Sequence, residues 1–192
     1  DEIRADIRGL VKEFHASKSW PGSEVFDPEN PRVKYSGMVH DSAELEAVVD
    51  AGLDFWLTMG PRAREFERQL AKVVGVRYAL ATNSGSSANL LAISALTSPE
   101  LGKRRLQPGD EVITVACGFP TTVNPIVQNG LVPVFCDVTL DTANIDVSQL
   151  DEARSRRTGA VMIAHTLGNP WDIQAVKAFC DQHGLWLVED NC

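Results

Sequence analysis

At 192 residues the chain is long enough for one sizeable core, and 44% hydrophobic with 23% charged residues is ordinary globular composition, which excludes a disordered or fibrous polypeptide. Eighteen Lys and Arg against 26 Asp and Glu give a net charge of -8, a field that repels polyanions and argues against nucleic acid as a partner. No apolar run reaches the roughly 20 residues of a bilayer-spanning helix, the N-terminal D-E-I-R-A-D lacks the pattern of a signal peptide, and four widely spaced cysteines without a C-x-x-C pair fit reduced thiols, so the reading is a cytoplasmic protein that engages no membrane.

Residues 1–18 carry Ile3, Ile7, Leu10, Val11 and Phe14 at the spacing of one helix face. Ser19 to Gly37, with Pro21, Pro28 and Pro31, reads as an extended arm. A helix start at Asp41 or Ser42 leads to about Gly52, and Gly60-Pro61 opens a further helix that ends at Gly75. Tyr78 to Ala81 reads as a short strand, Asn83 to Ser87 as a small polar turn, and Ala88 to Leu96 as a helix. Strands follow at Glu111 to Ala116, Val132 to Val138, Gly159 to Ala164 and Leu185 to Val188. Between them lie helices at Phe119 to Asn129, from Asp146 or Ser148 to about Arg156, and at Asp172 to His183. Apolar strands alternating with helices predict an α/β fold, three layers with a mostly parallel sheet between helices.

In such sheets ligands gather at the carboxyl ends of the strands. The candidates are therefore Asn83 to Ser87, Cys117 to Thr121, His165 to Asn169 and Glu189 to Cys192. Backbone N–H groups of Gly85, Ser86 and Ser87 at a helix N-terminus suit a phosphate dianion. Phe119 offers a ring and Asp190 a carboxylate. Each has an everyday alternative: a core phenylalanine, an interior histidine at His165, a helix cap at Asp190, an inert thiol at Cys192. Their joint occurrence at successive strand ends points to a flat, charged, phosphorylated heterocycle, and pyridoxal or pyridoxamine phosphate fits that description.

The motifs W-L-T-M-G-P (Trp56 to Pro61), R-E-F-E (Arg64 to Glu67), S-G-S-S-A, P-G-D-E-V-I-T (Pro108 to Thr114), F-P-T-T-V-N, N-I-D (Asn144 to Asp146), A-H-T-L-G-N-P (Ala164 to Pro170) and G-L-W-L-V-E-D (Gly184 to Asp190) occur in one order. In them the chain resembles the DegT/DnrJ/EryC1/StrS sugar aminotransferase family, over nearly everything from Leu53 to Cys192. The resemblance implies the N-terminal part of the large domain of the fold-type I pyridoxal phosphate architecture. Residues 1–52 would be N-terminal helices and arm, residues 53–192 part of the cofactor-binding domain, and the small C-terminal domain would lie outside a truncated chain. It also implies that Gly85 and Ser86 bind the cofactor phosphate, that Phe119 stacks on the pyridine ring, and that Asp190 pairs with the ring nitrogen.

Where most of the family reads S-G-T and E-D-A-A, this chain has Ser84-Gly85-Ser86-Ser87 and Glu189-Asp190-Asn191-Cys192. Those variants resemble the branch of CDP-4-keto-6-deoxy-D-glucose 3-dehydrases. These lyases use pyridoxamine phosphate and a [2Fe-2S] cluster to remove the carbon-3 hydroxyl on the way to 3,6-dideoxyhexoses of lipopolysaccharide. By that resemblance Cys192 is the first cluster ligand and further cysteines lie downstream. A histidine base in place of the family lysine also lies beyond Cys192, and Cys117, Cys136 and Cys180 are core thiols. A homodimer and a separate flavin and iron-sulfur reductase are implied in the same way. The alternatives are a pyridoxal-phosphate-dependent nucleotide-sugar aminotransferase and a non-catalytic or regulatory paralogue.

Overall fold

The computed structural model describes residues 2–20, 26–32 and 37–191. They form two compact units, Asp1–Leu80 and Ala81–Cys192. The division at 52/53 read from the sequence concerns domains of the whole protein. The unit boundary falls later, inside the segment expected to be the opening strand.

In the first unit, α1 (Glu2–Ala16) packs on α2 (Ser42–Leu53), and ion pairs line the seam: Arg4 to Asp54 at 2.8 Å, Arg8 to Asp50 at 3.4 Å, Lys12 to Glu46 at 3.7 Å. Asp41 caps α2 in a complete capping box with Glu44, the start its sequence indicates. The helix α3 (Pro61–Val74) has Pro at its first position and closes on Gly75 in the left-handed conformation, φ 74°. Of the arm, residues 21–25 and 33–36 lie outside the described residues.

Tyr78 to Ala81 is not a strand. A strand exists through its ladder, and this segment pairs with none of the described residues' strands. The side chains of Tyr78 and Leu80 are largely exposed.

The second unit begins with α4 (Gly85–Leu96), which starts three residues earlier than its apolar run indicates because the Ser84 side chain accepts from Ser87 N–H and fixes the first turn. A 3-10 turn, Pro99–Arg104, leads to β1 (Glu111–Val115), then α5 (Pro120–Gln128) and β2 (Val132–Cys136). The single helix expected from Asp146 to Arg156 is broken. Asp146 accepts from both the backbone and hydroxyl of Ser148, which tightens the start into a 3-10 turn, and α6 (Leu150–Ala153) is one turn long. Ser155 then leaves the helix to bond Glu111 and Thr158. The chain continues through β3 (Thr158–Ala164), α7 (Ile173–His183), ended by Gly184 at φ 66°, and β4 (Trp186–Asp190).

The four strands are all parallel, in the order β2-β1-β3-β4. Alternation sends Val112, Ala160 and Met162 to one face against Ile93 of α4 and Ile126 of α5. Ile113, Val115, Val161 and Ile163 pack on the other face against Leu150 of α6 and Val176, Phe179 and Cys180 of α7. The result is the helix, sheet, helix layering that the sequence predicts for this part. Both faces being covered, β1 is buried along its whole length.

Candidate active site

The sheet parity decides what the end of β4 presents. Asp190 shares the face of Trp186 and Val188, toward α4 and α5, while Glu189 shares the face of Leu187. The Asp190 carboxylate accepts through Oδ2 from Thr122 Oγ1 at 2.5 Å and from Asn89 Nδ2 at 2.8 Å. These are charge-assisted bonds of the stronger class. The same Asn89 amide donates to the Thr121 carbonyl at 3.3 Å. Among the described residues, none donates to Asp190 Oδ1.

Asn89 lies one helical turn after Gly85, so the tie from α4 to Asp190 begins just behind the N-terminus of that helix. Of the first N–H groups of α4, that of Ser87 goes to the Ser84 hydroxyl and that of Ala88 to the Ser84 carbonyl at 3.0 Å. Those of Gly85 and Ser86 have no acceptor among the described residues, and both residues are exposed at the positive end of the helix dipole. A Cβ at Gly85 would meet no protein atom within 4 Å, so packing inside the protein does not require glycine there. Phe119 is the N-cap of α5, three residues ahead of Thr122, and is 71% exposed. Gly85, Ser86, Phe119 and Asp190 are thus joined by two side chains, Asn89 and Thr122.

His165 sits behind this face. Its backbone N–H donates to the Asp190 carbonyl at 3.2 Å, extending the β3–β4 ladder. Its ring stacks on Trp171, centroids 4.7 Å apart at 11°, and Nε2 lies 3.0 Å from Glu189 Oε2. It supports the strand end from the face opposite the Asp190 carboxylate.

Cys117 is not the core thiol expected, since it lies exposed just beyond the end of β1, while Cys136 and Cys180 are buried as expected. Burial pushes the Cys136 thiol up and that of Cys180 up to about 11, so both stay protonated and suit a core rather than a metal. Among the described residues no group of three or more His, Cys, Asp or Glu is disposed to hold a metal ion, and Cys192 lies outside them.

The sequence reading passed over Asn89 and Thr122. Each stands one helical turn before a fully buried isoleucine, Ile93 and Ile126, and both are themselves buried. A polar side chain at a core position of an apolar helix must find a partner, and that was the available sign.

The DegT/DnrJ/EryC1/StrS aminotransferase family profile matches residues 39–192. The chain belongs to this family. Among its curated members, lipopolysaccharide biosynthesis protein RfbH of Salmonella typhimurium is 55% identical over 197 residues, covering 100% of this chain and 44% of that protein. The dTDP-4-dehydro-2,6-dideoxy-D-glucose 3-dehydratase of Saccharopolyspora spinosa is 49% identical over 97% of this chain and 40% of its own length. Among solved structures of the family's fold, a GDP-4-keto-6-deoxymannose-3-dehydratase with a trapped PLP-glutamate geminal diamine superposes with a TM-score of 0.76 at 34% identity, covering 84% of this chain and 41% of that one. The chain spans less than half the length of these relatives. Its fold is therefore the N-terminal part of the family's α/β architecture.

Proposed function

We propose that the whole protein is a pyridoxamine-phosphate-dependent 3-dehydratase that removes the carbon-3 hydroxyl of a CDP-4-keto-6-deoxyhexose in the assembly of lipopolysaccharide dideoxysugars. The observation that carries this reading is the Asp190 carboxylate, with Oδ2 held by two buried donors and Oδ1 left for a ligand, on the same side as the open N-terminus of α4. The donor set fits the group. Gly85 and Ser86 N–H groups, with the Ser86 hydroxyl, hold the phosphate; Phe119 covers the ring; Asp190 accepts from the protonated ring nitrogen. When bound, the cofactor supplies an electron sink that lets a neighbouring carbon–oxygen bond break. The kinship with two proteins named for dideoxysugar or lipopolysaccharide work, at 55% and 49% identity, supports the dehydratase branch over transamination.

In this reading residues 53–192 are the N-terminal part of the large domain and residues 1–52 its helices and arm. Cys192, with cysteines beyond it, holds a [2Fe-2S] cluster, and a histidine beyond Cys192 is the base. The protein is a cytoplasmic homodimer, with the arm and Trp56 to Gly60 reaching the neighbouring subunit, and it draws electrons from a flavin and iron-sulfur reductase. No helix among the described residues is long and apolar enough to cross a membrane. The test is the visible spectrum of the full-length protein loaded with pyridoxamine phosphate and iron. Iron-sulfur absorbance together with removal of the sugar hydroxyl is the expected result. A cofactor covalently held by lysine, with amino transfer to the sugar, would replace the reading by the aminotransferase one.

A further inference from the structure

We infer that Asn89 and Thr122 are positioning residues for the ring-nitrogen carboxylate, and that Asn89 ties the phosphate-binding end of the site to its ring-nitrogen end. This rests on the cofactor reading above. A carboxylate on a strand end rotates about its last side-chain torsions, and either oxygen can turn toward a ligand. Here both donors converge on one oxygen, Thr122 Oγ1 at 2.5 Å and Asn89 Nδ2 at 2.8 Å, which fixes the rotation and leaves Oδ1 as the acceptor. Both donors are buried, Asn89 7% and Thr122 3% exposed, so water does not readily replace them.

The second half of the inference is mechanical. Asn89 lies on the first turns of α4, behind the Gly85 and Ser86 N–H groups, and its amide grips both Asp190 and the Thr121 carbonyl at the start of α5. Helix α4 cannot slide along the sheet without pulling on the carboxylate. The distance between the phosphate contacts and the ring-nitrogen contact is thereby held fixed, which is the dimension that selects a ligand of one length. Such positioning acts before the ligand arrives and reduces what must be ordered on binding.

The experiment uses the full-length protein and two ligands, pyridoxamine phosphate and its 1-deaza analogue, in which carbon replaces the ring nitrogen. Dissociation constants are measured by fluorescence quenching for wild type, Asn89→Leu, Thr122→Val and Thr122→Ser, with apo-protein thermal unfolding alongside. Wild type should prefer the natural cofactor over the deaza analogue. Asn89→Leu and Thr122→Val should lose about tenfold of that preference, close to one hydrogen bond to a charged group, while binding the analogue nearly as wild type does. Thr122→Ser, which keeps the hydroxyl, should retain it. Equal weakening of both ligands would mean that the residues only hold the fold, and would overturn the positioning role. A wild type that binds the cofactor with no preference would do the same. A wild type that binds neither ligand would remove the cofactor reading itself.

Discussion

Replacing Glu111 by alanine tests whether the mouth of β1 is held by a charge or only by packing. Glu111 is 6% exposed, and its carboxylate accepts from Ser155 Oγ, from Arg157 Nη2 at 2.8 Å and from Thr158 Oγ1 at 3.2 Å. A hydrogen bond to a charged group contributes about 1.5–3 kcal/mol. The Arg157 side chain is 66% exposed and finds water when its partner goes, so its share is small, about 0.5 kcal/mol, as for other surface ion pairs. The two hydroxyls are less replaceable, but they share one carboxylate and do not add in full. Glu111→Ala should therefore cost about 3 kcal/mol, or roughly 6–12 °C in Tm for cooperative unfolding of a chain of 192 residues, against about 0.5 kcal/mol for Arg157→Ala.

The measurement is urea and thermal unfolding of both variants beside wild type. The pH dependence supplies an independent check. The Ser155 hydroxyl holds the Glu111 carboxyl below its ordinary 4.5, helped by Arg157 and Thr158 and opposed by burial. A carboxyl whose folded value is depressed contributes its stability in full above the unfolded value and loses it as pH falls through the folded one. The gap between wild type and Glu111→Ala should be constant near neutrality and shrink below pH 4.5. Similar losses in the two variants, or a gap that persists undiminished to strongly acidic pH, would refute the assignment of the charge.

Gly159→Ala would place a Cβ 2.4 Å from Leu106 Cδ2; because Leu106 is 3% exposed and packed in the core, the change should cost about 1–3 kcal/mol in urea unfolding. Asp41→Ala removes the side-chain half of the α2 capping box, leaving the backbone N–H of residue 41 on Glu44, and should cost about 1 kcal/mol, most of it restored by Asp41→Ser. With a thiol reagent at mildly alkaline pH, Cys117 should label in the native state, while Cys136 and Cys180 should label only on unfolding, as read by mass spectrometry of the modified peptides.

What was legible in the residues follows the range over which each feature is determined. Helix ends were readable because caps are local: Asp41 with Glu44, Gly60-Pro61, Gly75 and Gly184 each act within one turn. The parallel sheet was readable because its strands are continuous apolar runs of ordinary length. Tyr78 to Ala81 has the same composition and is not a strand, since a ladder needs a neighbour that composition cannot supply. The helix expected after Asp146 failed for a related reason: Ser155 is drawn out by Glu111, 44 residues away. The strand-end rule singled out Phe119 beyond β1 and Asp190 at the end of β4, whereas Gly85 follows a segment that is not a strand; the parity of β4 separates Asp190 from Glu189.

The link between those residues was out of reach because it spans 101 positions, from Asn89 to Asp190. Nothing near Asn89 in the chain says what its amide will meet; only burial says that it must meet something. A parallel sheet supplies the answer through its geometry. The carboxyl ends of the strands and the N-termini of the helices that follow them lie at one edge, so a helix that enters there places its second turn beside the end of a strand far along the chain. A polar side chain on that turn is then buried against whatever the strand ends with. In this protein the strand ends with a carboxylate, and the helix begins with N–H groups that have no acceptor among the described residues. One amide, that of Asn89, ties the start of that helix to the end of that strand.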